Sequence, residues 1–273
     1  MMHATSRESL AAARQRLEEL TSDVDTGELR RLGGELTAIL DVLLNERVLL
    51  RHLADPATAA SARGGLATGV FEGKVGEFAS NALREVAVLR WSTWRDLADA
   101  VELLARQAVL IAAERENTLD ETEDELFRFG RVLGSENELR SLLSDGQTPA
   151  DRRLGLLHTV LDGKAGRDTL ELLEQVVRVP RGRSLDVVVG HLAELAAARR
   201  QRTVAQVSAA APLTDEQEER LARVLSQVYG RTISVQVELD PEVLGGLVIR
   251  VGDEVIDGSV ANRLAMAARG LPA

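Results

Sequence analysis

The chain has no cysteine, which excludes disulfides, thiolate metal centres and cysteine nucleophiles. Aromatic residues make up 3% of it against a hydrophobic share of 45%, so its cores are built from Leu, Val and Ala, which fill helix–helix interfaces well. No apolar run approaches the ~18–20 residues that span a bilayer. The opening stretch MMHATSRESLAAARQRLEEL has no secretory apolar region, and the expectation is a soluble cytoplasmic protein. Lysine is nearly missing: Lys74 and Lys164 stand against 31 arginines. The net charge of -10 disfavours broad contact with nucleic acid or anionic lipid. The four histidines, His3, His52, His158 and His191, have no ligand spacing. No serine sits in a nucleophile elbow. The basic run Arg199, Arg200, Arg202 fits a solvated helix end. The expectation is therefore no catalytic residue, no metal and no cofactor.

What the chain does have is an internal repeat. Displaced by 90 residues and without a gap, Glu35, Leu36, Val42, Leu43, Glu46 and Leu49 meet Glu125, Leu126, Val132, Leu133, Glu136 and Leu139. Asp55, Thr58, Arg63, Gly65 and Leu66 meet Asp145, Thr148, Arg153, Gly155 and Leu156. Roughly a third of positions agree over roughly 60 residues, which points to a duplicated domain and not to a solenoid.

Both lysines fall in the repeat, in VFEGKVG (Val70–Gly76) and VLDGKAG (Val160–Gly166). A Gly-Lys pair suggests a phosphate-binding loop, but that motif requires a glycine where Thr68 and His158 stand and a hydroxyl where Val75 and Ala165 stand. The reading that remains is a helix end, with Gly in the left-handed position and Lys facing the helix dipole.

Up to about Arg202 the periodicity is helical. Leu97, Val101, Leu104, Ala108 and Ile111 form an apolar stripe. Asp120 and the ETEDE after it suit a helix start. Thr148 and Pro149 predict a capped helix with Pro in its first position. VPRGRS (Val179–Ser184) separates two helices, and a long helix runs from Leu185 to about Arg202. Each repeat reads as five or six short helices. Trp91 and Trp94 stand at the junction and read as packing residues, with a ligand cage as the alternative.

After Arg202 the period changes. RTVAQVSAA is strand-like. LTDEQEERLARVLSQVYG predicts a helix with Thr214 and Gln217 as a capping box and Gly230 at its end. In TISVQVELD, Ile233, Val235, Val237 and Leu239 share one face. Pro241 and Gly245-Gly246 form a turn, GGLVIRVGDEVID gives another strand and a tight turn at Gly252-Asp253, and a final helix starts at Ser259. Asp257 and Ser259 there are capping residues in pattern, not catalytic ones. The fold class is mostly α with a small α+β C-terminal domain: residues 1–94 and 95–202 are two homologous helical bundles, and 203–273 form a short mixed sheet with helices.

The stretch LDPEVLGGLVIRVGDEVIDGSVANRL (Leu239–Leu264) closely resembles the end of the delta subunit of F-type ATP synthases, the counterpart of the mitochondrial oligomycin-sensitivity-conferring subunit. AAPLTDEQEERL also matches, and the resemblance extends back to about Arg95. The bundle before it, about residues 1–94, is extra, as in long delta subunits of some GC-rich bacteria. The resemblance implies a non-catalytic peripheral-stalk subunit, one copy per complex, at the cytoplasmic face of the cell membrane. Its implied partners are the N-terminal helices of α subunits and the b-type stalk subunits. It implies an α-binding groove between the helix of Leu97, Val101 and Leu104 and that of Leu173 and Val177; ordinary bundle core is the equal alternative for these five. It also implies a stalk-binding motif containing Gly245, Gly246, Gly252, Asp257 and Ser259. The extra bundle is expected to brace the stalk or the side of the head, and a fragment lacking residues 1–90 is expected to fold. The alternative function is a two-repeat helical adaptor unrelated to energy conversion.

Overall fold

The computed structural model describes residues 2–229, 233–240, 243, 245–252 and 254–262, with the side chains at 202 and 203 excepted. Gly230, Pro241, Asp253 and Leu264 lie outside the described residues. The chain divides into two compact units, Met1–Glu194 and Leu195–Ala273.

The first unit is helical: α1 (Ala4–Leu20), α2 (Thr26–Asn45), α3 (Arg47–Ala54), α4 (Ala60–Phe71), α5 (Glu77–Val88), α6 (Trp94–Arg115), α7 (Leu119–Ser135), α8 (Asn137–Ser144), α9 (Ala150–Leu161), α10 (Arg167–Arg178) and the start of α11 (Leu185–Thr203). The ranges of α3, α4 and α5 return 90 residues later as α8, α9 and α10. The polar contacts that fix the turns return with them. Asp55 accepts from the Ala57 amide and the Thr58 hydroxyl, and Asp145 from the Gln147 amide and the Thr148 hydroxyl. Arg63 donates to the carbonyls of Ala87, Val88 and Leu89, and Arg153 to that of Val177. Glu35 caps α5 from a distance by accepting from Gly76 N at 2.9 Å, as Glu125 does for α10 from Gly166 N at 2.8 Å. Pro149 is the residue before α9, and the Thr148 hydroxyl is spent on Asp145. The predicted cap at Thr148 is thus replaced by an aspartate-centred turn.

α6 is the axis of this unit. It packs most extensively on α2, and 16 of its 22 residues are buried. The single predicted stripe therefore understates it: Ala98, Ala105, Val109, Leu110 and Ala112 are buried too, because neighbours cover α6 nearly all round. Leu29, Leu36, Leu43 and Leu83 of the first half share one core with Leu97, Val101 and Leu104. Trp91 belongs to that core and donates its indole N–H to the Val86 carbonyl at 2.9 Å. Trp94 is half-buried, with the Arg95 guanidinium 4.7 Å from its ring centre.

The second unit contains β1 (Val204–Ala209), α12 (Asp215–Tyr229), β2 (Ser234–Leu239), β3 (Leu247–Val251) and β4 (Glu254–Asp257). The sheet order is β2-β1-β3-β4. β1 pairs parallel with β2, Val207 opposite Val237, and antiparallel with β3, Val207 opposite Ile249; β3 and β4 are antiparallel. The parallel pair needs a crossover, and α12 supplies it. Thr214 and Gln217 make both bonds of the predicted capping box, at 2.9 and 3.3 Å. Ala205, Val207, Leu225, Ile233, Ile249 and Val251 form the core. Leu239, at the end of β2, is exposed although its pattern placed it with Ile233.

Candidate functional site

The five residues of the expected groove, Leu97, Val101, Leu104, Leu173 and Val177, are each 1% exposed or less. They lie on α6 and α10, which do pack together. The structure uses them as core, and as described they present no open groove. Instead, a helix of the chain itself covers α6 and α10. A Cβ at Gly33 of α2 would meet Val109 Cγ2 at 2.8 Å, the Ala105 carbonyl at 2.9 Å and Gln175 Nε2 at 2.9 Å, so α2 approaches as closely as a backbone without a side chain allows.

Buried charge fixes this contact. Arg30 of α2 is 3% exposed; its Nε meets Asp168 Oδ1 at 2.7 Å, and its Nη2 meets Glu116 Oε2 at 2.6 Å. The Thr118 hydroxyl donates to the other Asp168 oxygen at 2.9 Å. These two carboxylates raise the Arg30 pKa. The hydrogen bonds from Arg30 and then Thr26 pull Glu116 down to about 2. Towards the N-terminal end of α6, Glu102 is buried among Arg106, Arg181 and Arg183. Burial pushes its pKa up, but the three cations outweigh it and keep the carboxylate below its ordinary range. Arg181, with φ at 54°, also reaches Asp99 at 2.7 Å. Together they pin the segment between α10 and α11 onto α6. None of this was read from the sequence. A buried arginine looks like a solvated one until its partners, 86 and 138 residues away, are placed beside it. The apolar positions Leu29, Leu32, Leu36, Ile39, Leu40 and Leu43 of α2 form one ordinary helical face, and the buried Arg30, Gly33 and Thr37 beside it carry no apolar signal.

The Gly-Lys segments are helix ends. Gly73 and Gly163 have φ of 69° and 64°, and Lys74 Nζ and Lys164 Nζ donate to the Val70 and Val160 carbonyls at 2.8 and 3.1 Å.

In the second unit Gly245 and Gly246 lead into β3 and lie against residues 258–260, and Gly252 follows β3. Gly245, Gly246 and Gly252 have φ of 141°, 80° and 59°. A Cβ at Gly246 would overlap the Gly258 carbonyl. Val260 N donates to the Gly245 carbonyl and Gly258 N to that of Leu247, at 2.8 and 2.9 Å. Asp257 accepts from Ser259 N at 2.9 Å, and Ser259 Oγ from Asn262 N at 3.2 Å. The Ser259 hydroxyl and amide hold the exposed Asp257 carboxylate below its usual pKa. Asp257 and Ser259 are spent on capping, as their spacing predicts. Among the described residues, no group of three His, Asp or Glu is arranged to hold a metal.

The model of the ATP synthase delta (OSCP) subunit family matches residues 105–271. The chain is 48% identical over 271 residues to the ATP synthase subunit b-delta of Mycobacterium sp. (strain KMS), covering 99% of itself and 61% of that protein. It is 46% identical over 267 residues to the ATP synthase subunit delta of Streptomyces avermitilis, covering 98% of itself and 97% of that protein. A chain of the Toxoplasma gondii mitochondrial ATP synthase hexamer aligns over 62% of this chain and 96% of its own, at 20% identity and a TM-score of 0.32, and carries no weight here. The chain spans about three-fifths of the b-delta relatives and nearly all of the Streptomyces one. It belongs to the ATP synthase delta (OSCP) subunit family.

Proposed function

We propose that this chain is a non-catalytic peripheral-stalk subunit of a proton-translocating F-type ATP synthase. It holds the catalytic head against the torque of the rotor, with the helical unit on the head and residues 203–273 on the b-type stalk. One copy per complex sits peripherally at the cytoplasmic face of the membrane; no helix among the described residues is long and apolar enough to cross it. The observation that carries the reading is the match over 97% of a Streptomyces delta subunit. The b-delta name of the mycobacterial relatives supports a b-type neighbour. We also read residues 1–94 and 95–202 as copies of one bundle. The support is the return of α3–α5 and of their turn-fixing hydrogen bonds after 90 residues.

The burial of Leu97, Val101, Leu104, Leu173 and Val177 favours core over an open α-binding groove, so the helix-binding surface for α subunits is assigned to the outer faces of the unit. Gly245, Gly246, Gly252, Asp257 and Ser259 build a turn that orders the stalk-binding domain and are not themselves the contact. The test is removal and restoration. Membranes stripped of this chain should keep ATP hydrolysis by the released head and lose proton-driven synthesis, and adding the chain back should restore synthesis. If synthesis is unchanged without it, the adaptor reading takes over.

A further inference from the structure

A small cavity lies inside the helical unit, where α2 closes over α6 and α10. Its volume is about 10 Å³, and Thr37, Leu40, Glu102, Arg106, Gln175 and Val179 line it. That is room for one water molecule and too little for a larger solute. Glu102, Arg106 and Gln175 are each nine-tenths buried or more. Two of these side chains have hydrogen-bonding capacity left over. Gln175 Nε2 donates to the Ala105 carbonyl at 3.3 Å, which sets the orientation of the amide. Gln175 Oε1 is then buried without a partner among the protein atoms, and such an acceptor is costly to leave unmatched. Arg106 spends Nη2 on Glu102 and has further N–H donors beyond it. Burial pulls the Arg106 pKa down, so another acceptor beside the guanidinium favours its charged form. The positions 90 residues earlier hold Arg16 and Glu85, which bond directly at 2.7 Å. In the second half a neutral amide stands where that carboxylate does, and Glu102, where the first half has Ala12, takes the arginine.

We propose that this cavity is the binding site of a single structural water, which accepts from the Arg106 guanidinium and donates to Gln175 Oε1. Thr37 Oγ1, whose own hydrogen goes to the Gly33 carbonyl, accepts the second hydrogen of the water. One molecule then ties α2 through Thr37, α6 through Arg106 and α10 through Gln175. Three polar partners in a space of this size are what a buried water requires. The water bridges the two side chains that an ion pair joins directly in the first half, and it lets α2 close over α6 without stranding the amide oxygen.

The test combines a crystal structure of the full chain, grown with bromide in place of chloride, and water–protein NOE and ROE spectra of the full chain isotope-labelled at its glutamine and arginine nitrogens. Density for one oxygen atom is expected within about 3.2 Å of both Gln175 Oε1 and an Arg106 nitrogen. The Gln175 amide protons should show NOE and ROE cross-peaks to water of opposite sign, the mark of a long-lived bound molecule. Gln175→Glu keeps the shape of the side chain and should abolish both signals, because Arg106 then bonds the carboxylate directly as Arg16 bonds Glu85. The parent chain decides alone if that variant does not fold. No density in the cavity, or cross-peaks of equal sign, as given by surface water or proton exchange, overturns the proposal. An anomalous bromide peak in the cavity makes it an anion site and overturns it as well. So does a water that persists unchanged in Gln175→Glu, since Gln175 is then not its partner.

Discussion

Ser6 and Asp96 stand 90 residues apart in the chain and are bonded to each other: Ser6 Oγ donates to Asp96 Oδ2 at 2.8 Å. The same hydroxyl accepts from Ser92 N, also at 2.8 Å, and both residues are buried. α1 is thus tied to the start of α6 through a buried polar contact. Ser6→Ala leaves the Ser92 amide without its acceptor and the Asp96 oxygen without this donor, at a cost of about 1–3 kcal/mol. Urea unfolding of the full chain reads this as a lower midpoint with an unchanged slope.

Arg30 is the more consequential link. Arg30→Met keeps much of the aliphatic bulk and abandons Asp168, which is 4% exposed, so the loss should be about 3–5 kcal/mol. Replacing both partners, Arg30→Met with Asp168→Leu, removes the stranded charge, and thermal unfolding should recover most of the deficit. If the double variant melts no higher than the single one, the pair contributes more than charge compensation.

The Glu116 end of the same network sets an acid dependence. Its folded pKa lies near 2, below the ordinary 4.5 of a glutamate. The stabilisation is present above about pH 4.5 and is lost as the pH falls towards 2. Because 40% of the Glu116 side chain is exposed, solvent screening reduces its worth to about 1 kcal/mol or less. Glu116→Gln should therefore be less stable than the parent chain at pH 6, with the gap closing as the pH falls to 2 and below. A gap that persists at the lower pH assigns the effect to hydrogen bonding and not to charge.

The sequence was legible wherever one local rule governed. The capping box at Thr214 and Gln217, the lysine-capped ends at Gly73 and Gly163, and Asp257 with Ser259 each involve residues within a few positions of one another. The repeat was legible because it is a comparison of the chain with itself. The position of α2 was not, because Leu97 and its stripe look alike whether they face a partner or the chain's own helix. Which face is open depends on long-range packing, and the ion pairs of Arg30 and Glu102 depend on it as well. Thr148 shows the same limit on a small scale: two acceptable roles competed for one hydroxyl, and Asp145 took it.

Gly246 tests the second unit. Its φ of 80° disfavours any side chain, and a Cβ would run into the Gly258 carbonyl. Gly246→Val should cost about 3 kcal/mol or more, the sum of backbone strain and a displaced strand connection. The expected phenotype in the assembled enzyme is a fall in proton-driven synthesis with ATP hydrolysis preserved. Gly65→Val serves as the control, since a Cβ there meets nothing within 4 Å and a β-branched residue in a helix costs less than about 1 kcal/mol relative to Ala.

A repeat suggests independence, and a fragment lacking residues 1–90 would be expected to fold. The packing of α6 argues otherwise. In the full chain Ala98, Ala105, Val109 and Ala112 are 1% exposed or less, and α2 lies over Ala105 and Val109. Removing residues 1–90 takes away α2 and with it the Arg30 partner of Asp168, and lays bare a contiguous apolar face on α6. Such a face seeks another surface. The truncated chain should therefore self-associate or aggregate at concentrations where the full chain remains dispersed, as read by sedimentation velocity. Adding a peptide of residues 26–45, the sequence of α2, should return it to a one-to-one complex. Recovery should fail with the Gly33→Leu version of that peptide, because the new side chain has no room against Val109 and the Ala105 carbonyl. A monomeric, cooperatively folded fragment in the absence of the peptide would mean that the second bundle closes over its own groove once α2 is gone.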